Sequence, residues 1–266
     1  MLTFNQYRKV TSLEEAYELN QKKANKIIGG MLWMKMGARN IGTAIDLSGL
    51  GLDKIEEKED EFSIGCMTSL RDLELHPGLD AYTGGAMRES LRHIVGVQFR
   101  NVATVGGSIF GRFGFSDVLT MFLALDSYVE LYKGGIVSMD QFAAMERDND
   151  ILVRVIVKKT PLSVAYLSHR NTKTDFPVIA CAVAQTEQGV KAVIGARPYK
   201  ACIVWDNDDI LKEGISLESA KAFGEYVADH VKTGSNMRGS KEYRSHLIKV
   251  LVRRGCQVLG GEQNAN

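Results

Sequence analysis

The chain has 266 residues, 45% of them hydrophobic and 24% charged, enough to bury a sizeable core in one large domain or two modest ones. Its 33 lysines and arginines nearly balance 32 acidic residues, so a formal net charge of +1 gives no global field that would draw nucleic acid or an anionic membrane. The N-terminal stretch turns acidic before any apolar signal segment develops, and no run approaches the ~20 apolar residues of a membrane span, which reads as a soluble, cytoplasmic protein.

In chain order, FNQYRKV (4–10) predicts a strand, and Ser12 with Glu15 three residues on has the capping-box spacing that opens a helix. NKII (25–28) predicts a strand running into Gly29 and Gly30, TAIDL (43–47) another, and IEEKEDEFSIGCMTS (55–69) two strands around a charged turn. Ser69 caps a short helix that His76-Pro77-Gly78 stops. GGAMRESLRHIV (84–95) spaces Met87, Leu91, Ile94 and Val95 as the stripe of a half-buried helix. Then RNVATVGGSIFGRFGFSD (100–117) combines a β-type run with Gly106, Gly107, Gly111 and Gly114. Ser116 begins a helix through LTMFLALD (119–126), and YVELYKG (128–134) and ILVRVIVKK (151–159) predict strands.

Charge and proline in KKTPLS (158–163) mark a domain boundary. Beyond it, SVAYLSHR (163–170), PVIACAVAQ (177–185), VKAVIGAR (190–197) and ACIVW (201–205) predict an antiparallel sheet, followed by two helices. The last helix starts at Ser240 and carries Tyr243, Leu247, Val250 and Leu251 on one stripe. Strands and helices mix without strict alternation, which favours an α+β layout over a simple parallel sheet.

Chemistry-bearing side chains are scattered. Cys66, Cys181, Cys202 and Cys256 never approach C-x-x-C spacing, and the five histidines form no H-x-x-x-H pattern, so no autonomous metal site is expected. No acid–base pair or Ser/His/Asp arrangement stands out. Instead two glycine pairs, in KIIGGMLW (26–33) and TVGGS (104–108), each follow a β-rich run. Glycine there lets a ligand approach the main chain, and successive exposed N–H groups form a concavity suited to phosphate. A Walker-type loop is excluded, because Arg112 stands where the phosphate-reaching lysine belongs and Phe113 replaces the magnesium-binding hydroxyl residue. The G-x-G-x-x-G of a Rossmann dinucleotide site is missing from both loops.

RNVATVGG (100–107) and the C-terminal SKEYRSHLIKVLVRR (240–254), with an acid at Asp117 between them, resemble the FAD-binding medium subunit of the molybdenum hydroxylases, the family of xanthine dehydrogenase and carbon monoxide dehydrogenase. The resemblance runs from about Asn25 to about Leu259. It implies an FAD-binding domain over 1–160, made of two α/β subdomains (about 1–55 and 56–160) of the vanillyl-alcohol oxidase or PCMH type. A C-terminal α+β domain with an antiparallel sheet would cover 161–266. By position, Lys26, Ile27, Ile28, Gly29, Gly30, Met31, Leu32 and Trp33 would form the first flavin loop, and Thr104, Val105, Gly106, Gly107 and Ser108 the second. Amides of both would hold the FAD pyrophosphate. Asp117 matches the family acid that hydrogen-bonds the cofactor, and Ile94 and Leu152 match contacts near it. Asp117 equally suits a helix N-terminus, Ile94 and Leu152 suit a core, and Arg100 suits either a phosphate or a surface salt bridge. Tyr243 and Arg244 read as packing.

The chain departs from the family where relatives read G-G-T-D or G-N-T-E, since Met31 and Leu32 remove a hydroxyl and a carboxylate. It departs again at Arg112, Phe113 and Phe115, and a family lysine has no counterpart near Leu167 and Ser168, with Lys173 some residues on. The implied role is electron transfer: molybdopterin on a large subunit, iron–sulfur clusters on a small one, and FAD here passing electrons to NAD or another acceptor. A free-standing flavin oxidoreductase and an FAD-free assembly subunit are the alternatives.

Overall fold

The structure, a computed structural model, describes residues 1–261. Strand β1 (Thr3–Lys9) leads into helix α1 (Leu13–Asn20), whose first turn is closed by the Ser12 hydroxyl accepting from the Glu15 amide at 3.1 Å. The Glu15 carboxylate answers one residue earlier than a capping box requires, accepting from the Thr11 amide at 2.9 Å. β2 (Lys26–Ile28) and β3 (Asn40–Asp46) complete a three-stranded parallel sheet in the order β1-β3-β2.

The charged hairpin follows as β4 (Ile55–Glu57) and β5 (Glu61–Gly65), then α2 (Leu70–Leu75), with the Ser69 hydroxyl accepting from the Asp72 amide. His76-Pro77 does more than stop α2: Pro77 is the first residue of α3 (Pro77–Tyr82), where its missing N–H costs nothing, and the His76 ring caps it by accepting from the Leu79 amide. The helix expected to run to Val95 is shorter. α4 (Ala86–Leu91) ends before Ile94, and Val95 has φ 51°, a left-handed conformation that a right-handed helix cannot include.

The stretch around Arg100 was expected to be strand and is mostly helical. α5 (Val97–Arg100) precedes a turn, Thr104 is extended and makes a single bridge to Ser69, and α6 (Val105–Ile109) begins at once. Arg100 is 4% exposed, which corrects the surface reading of that side chain. α7 (Asp117–Ala124) starts at the Ser116 cap, followed by β6 (Ser127–Leu131), the unforeseen β7 (Gly135–Ser138) and α8 (Met139–Ala144), and β8 (Leu152–Lys158). β4 to β8 form a five-stranded antiparallel sheet in the order β4-β5-β8-β6-β7.

β9 (Leu162–His169), β10 (Ile179–Thr186), β11 (Gly189–Gly195) and β12 (Cys202–Trp205) build a four-stranded antiparallel meander. α9 (Leu217–His230) and α10 (Lys241–Leu259) bury Phe223, Val227, Ile248 and Val252 with its Val183 and Ile194. The α10 stripe is rotated from the expected one: Tyr243 is exposed, and the fully buried Arg244 takes the inner position. Its guanidinium donates to the carbonyls of Val178, Gly234 and Gly239 and to Asn236 Oδ1, at 2.5–2.9 Å, so the charge is held by the loop that precedes its own helix together with the residue ahead of β10.

Packing divides the chain into two units. Residues 1–73, 97–111 and 127–158 form the first, with the parallel sheet and the five-stranded sheet. Residues 74–96, 112–126 and those from 159 onward form the second, around the meander. From sequence a single boundary is expected near 160, whereas the second unit also takes two stretches from within the N-terminal portion. No helix among the described residues is long and apolar enough to cross a membrane.

Within the first unit Lys158 on β8 and Lys58 beside β5 both donate to Glu61, at 2.6 and 2.7 Å, and hold its carboxyl down to about 2. A carboxyl depressed in the folded state adds stability above its unfolded value and loses it as pH falls through the folded one. Glu61→Gln should therefore be less stable than the parent near neutral pH in urea unfolding, and the gap should close between about pH 4.5 and about pH 2.

Candidate functional site

Both glycine pairs lie in the first unit, and the first presses against Val102 and Thr104, the segment that leads into the second. A β-carbon on Gly30 would stand 2.1 Å from the Val102 carbonyl oxygen, and one on Gly29 would stand 2.6 Å from Thr104 Oγ1. Neither distance is possible for a real side chain, so glycine at 29 and 30 is demanded by the close approach of the two segments. The edge of Trp33 meets Phe99 (5.7 Å between ring centroids), continuing the contact along the loops. Lys26, Ile27 and Ile28 form β2, which hydrogen-bonds to β3 and delivers the loop from the parallel sheet.

The amides of the two loops do different things. In the second, the Val105 amide donates to the Thr68 carbonyl at 2.9 Å, Gly106 to the Cys66 carbonyl at 2.8 Å, Gly107 to Thr104 Oγ1 at 3.1 Å and Ser108 to the Thr104 carbonyl at 3.1 Å. The open donors expected at 105–108 are therefore spent. The segment is a capped helix start laid on residues 66–70. Gly106 serves that seat, since a β-carbon there would stand 2.8 Å from the Cys66 carbonyl oxygen.

In the first loop the amides of Gly29, Gly30, Met31 and Leu32 have no acceptor among the described residues. The loop is half-buried, and Met31 holds φ 56°, a left-handed conformation costing a non-glycine residue about 1–2 kcal/mol. A left-handed residue within a run of free N–H groups is the geometry of an anion-binding nest. The loss of a hydroxyl and a carboxylate at Met31 and Leu32 leaves these main-chain donors in place. This loop fits a diphosphate through backbone alone.

The remaining sequence candidates lie apart in character. Leu152 opens β8 and is buried in the five-stranded sheet. Ile94, in the second unit, is half-buried in the turn after α4, its amide bonded to the Leu91 carbonyl. Asp117, also in the second unit, is the first residue of α7 and is 5% exposed. Its Oδ1 accepts from the Tyr166 hydroxyl at 2.5 Å and from Arg170 Nη2 at 2.6 Å. Burial pushes the Asp117 carboxyl up while Arg170 and Tyr166 oppose it, and burial pushes the Tyr166 hydroxyl well above its ordinary range, so that it stays a donor. Tyr166 and Arg170 were not singled out from sequence. Their even spacing along and just beyond β9 places both on the face that carries Val164, a signal that means little until α7 is known to pack nearby.

The RFGFS segment (112–116) is well anchored within the second unit. A β-carbon on Gly114 would stand 1.8 Å from the Tyr199 carbonyl oxygen, and the rings of Phe113 and Phe115 stack with 11° between planes, Phe176 meeting Phe115 edge-on.

Residues 2–160 match the family model of the FAD binding domain in molybdopterin dehydrogenase, and the chain belongs to that family. FAD is its cofactor. The uncharacterised protein YgfM of Escherichia coli (strain K12) is 28% identical over 97% of this chain and 98% of its own length. The nicotine 6-hydroxylase medium subunit of Paenarthrobacter nicotinovorans is 26% identical over 93% of this chain and 94% of its own. Among solved structures, a chain of carbon monoxide dehydrogenase from Hydrogenophaga pseudoflava superposes with a TM-score of 0.86 at 20% identity, covering 96% of this chain and 98% of that one. The fold is the two-subdomain α+β FAD-binding fold of the vanillyl-alcohol oxidase or PCMH type, followed here by the meander and its helices.

Gly30→Ala must push the first loop off the Val102 carbonyl and should weaken FAD binding by at least about tenfold, read by quenching of flavin fluorescence. Gly107→Ala meets only Thr104 Oγ1, at 3.0 Å, a group that can give way, and should bind FAD within a few-fold of the parent.

Proposed function

We propose that this chain is the FAD-binding electron-transfer subunit of a multi-subunit molybdenum-containing hydroxylase or dehydrogenase. When bound, FAD supplies the redox chemistry, taking electrons from an iron–sulfur subunit and passing them to NAD or another acceptor. A large molybdopterin-binding subunit oxidises the organic substrate. The observation that carries the proposal is the family match over residues 2–160, in which lies a loop with four successive open amides. Near full-length similarity to a relative named as a medium subunit supports the heteromeric role.

The chain's own residues bind and orient. The amides of Gly29, Gly30, Met31 and Leu32 receive the diphosphate, with Lys26–Ile28 and Trp33 fixing the ends of the loop. Thr104 to Ser108, with Val102, form the wall against which that loop is shaped, and Ser108 and Thr104 add their side-chain oxygens. Ile94, Asp117 and Leu152 are proposed as further cofactor contacts. No side chain is asked to move a proton in a bond-breaking step, so the protein's part is placement of the cofactor and exclusion of water.

The chain expressed with its genomic neighbours should co-purify as a yellow complex containing iron, molybdenum and FAD, and expressed alone it should bind FAD without oxidising any organic substrate. Substrate turnover by the isolated chain would contradict the subunit role, and a folded, colourless chain that refuses added FAD would contradict the cofactor role.

A further inference from the structure

Beyond its hydrogen bonds to Tyr166 and Arg170, Asp117 has a second oxygen, and this is where the second unit carries unassigned chemistry. Oδ1 takes both side-chain donors, whereas no other residue among the described ones donates to Oδ2, and only the Asp117 amide itself lies by the carboxyl. The carboxylate is thus gripped by other side chains at Oδ1 alone. Arg170 is fixed in turn: its side chain is 7% exposed, and Nη1 donates to the Asp175 carbonyl at 2.6 Å while Nη2 reaches Asp117. Asp175 is itself held by Arg238, through Nη2 at 2.9 Å and Nε at 3.3 Å. Glu89 on α4 also feels the charge of Arg170 and is itself paired with Arg92, so three acidic residues face this guanidinium, two of them shared with other arginines.

A buried ion pair is a poor source of stability, because desolvation of both charges cancels much of the attraction. What such a pair does supply is geometry. A guanidinium with two of its nitrogens committed to separate acceptors cannot rotate, and a carboxylate gripped at one oxygen by two donors presents the other in one direction.

We infer that Arg170 and Tyr166 are positioning residues that fix the Asp117 carboxyl through Oδ1 and leave Oδ2 as the acceptor for an N–H or O–H group of the bound FAD. The inference rests on the proposed role of Asp117 as a cofactor contact. Neither Arg170 nor Tyr166 touches the cofactor in this account. Arg170 supplies the charge and the orientation, and Tyr166 the second restraint.

The test is FAD affinity of the whole chain by fluorescence quenching, with thermal unfolding followed in parallel, for Asp117→Asn, Arg170→Gln, Tyr166→Phe, Arg170→Lys and the double variant Asp117→Asn/Arg170→Gln. Asp117→Asn and Arg170→Gln should each weaken FAD roughly tenfold to hundredfold, the range for one hydrogen bond to a charged group. Tyr166→Phe should weaken it less. Arg170→Lys keeps the charge but cannot serve two acceptors in a fork, and should recover only part of the loss. The double variant is decisive: it removes both buried charges, so it should regain thermal stability over Arg170→Gln while binding FAD no better than Asp117→Asn. Recovery of FAD affinity together with stability would overturn the inference, because Arg170 would then matter only for folding. It is equally overturned if Arg170→Gln binds FAD as the parent does, or if Asp117→Asn does. A parent chain that binds no FAD would instead sink the cofactor reading itself, which the parent titration alone reveals.

Discussion

A carbonyl oxygen pressed against a residue with no side chain organises the first unit. Gly30 lies so close to the Val102 carbonyl that any β-carbon would overlap it, and the amides from Gly29 to Leu32 beside it have no acceptor among the described residues. β2 supplies the loop, the segment after α5 supplies the wall, and the Thr104 hydroxyl both caps α6 and fills the space beside Gly29. The left-handed Met31 is the energetic cost of the bend, and such strain gathers where a backbone is shaped for binding.

The second unit has a comparable centre in α7. Its N-terminal residue Asp117 is clamped by Arg170 and Tyr166, and near its other end the Leu123 carbonyl accepts from the buried Lys191 ammonium at 2.9 Å. A negative charge at the start of a helix and a positive one at its end both favour the helix dipole. Lys191 also lies over the Trp205 ring at 5.1 Å, so its charge is received by a carbonyl and an aromatic face in place of water. Arg170, just beyond β9, and Lys191 on β11 thus hold the two ends of this short helix by charge.

The sequence carried the strands well because their signals are local. The strands β8 to β12 and the serine caps at Ser12, Ser116 and Ser240 appear in the structure where the β-rich runs and the cap spacing place them. It misled around Arg100 to Val105, where β-branched Val102, Thr104 and Val105 suggest a strand. There the tertiary contact with residues 66–70 wins: one bridge forms, Thr104 caps, and the glycines fall inside a helix. Glycine is ambiguous in the same way. From sequence, both pairs look like openings for a ligand, yet Gly106 is needed for Cys66 and Gly30 for Val102, and only the hydrogen-bond partners of the neighbouring amides separate a filled turn from an open one. The Asp117 clamp was illegible for a further reason. Its members come from α7 and β9, and no short-range pattern records which side chains two packed elements will share.

The central claim, that main-chain donors of one loop carry the diphosphate, is tested most directly by amide hydrogen exchange of the intact chain with and without FAD. Exchange at Gly29, Gly30, Met31 and Leu32 should slow sharply on binding, while the amides of Val105 to Ser108, already bonded within the protein, should change little. Unchanged exchange at residues 29–32 in the FAD-saturated protein, or new protection confined to 105–108, would contradict it.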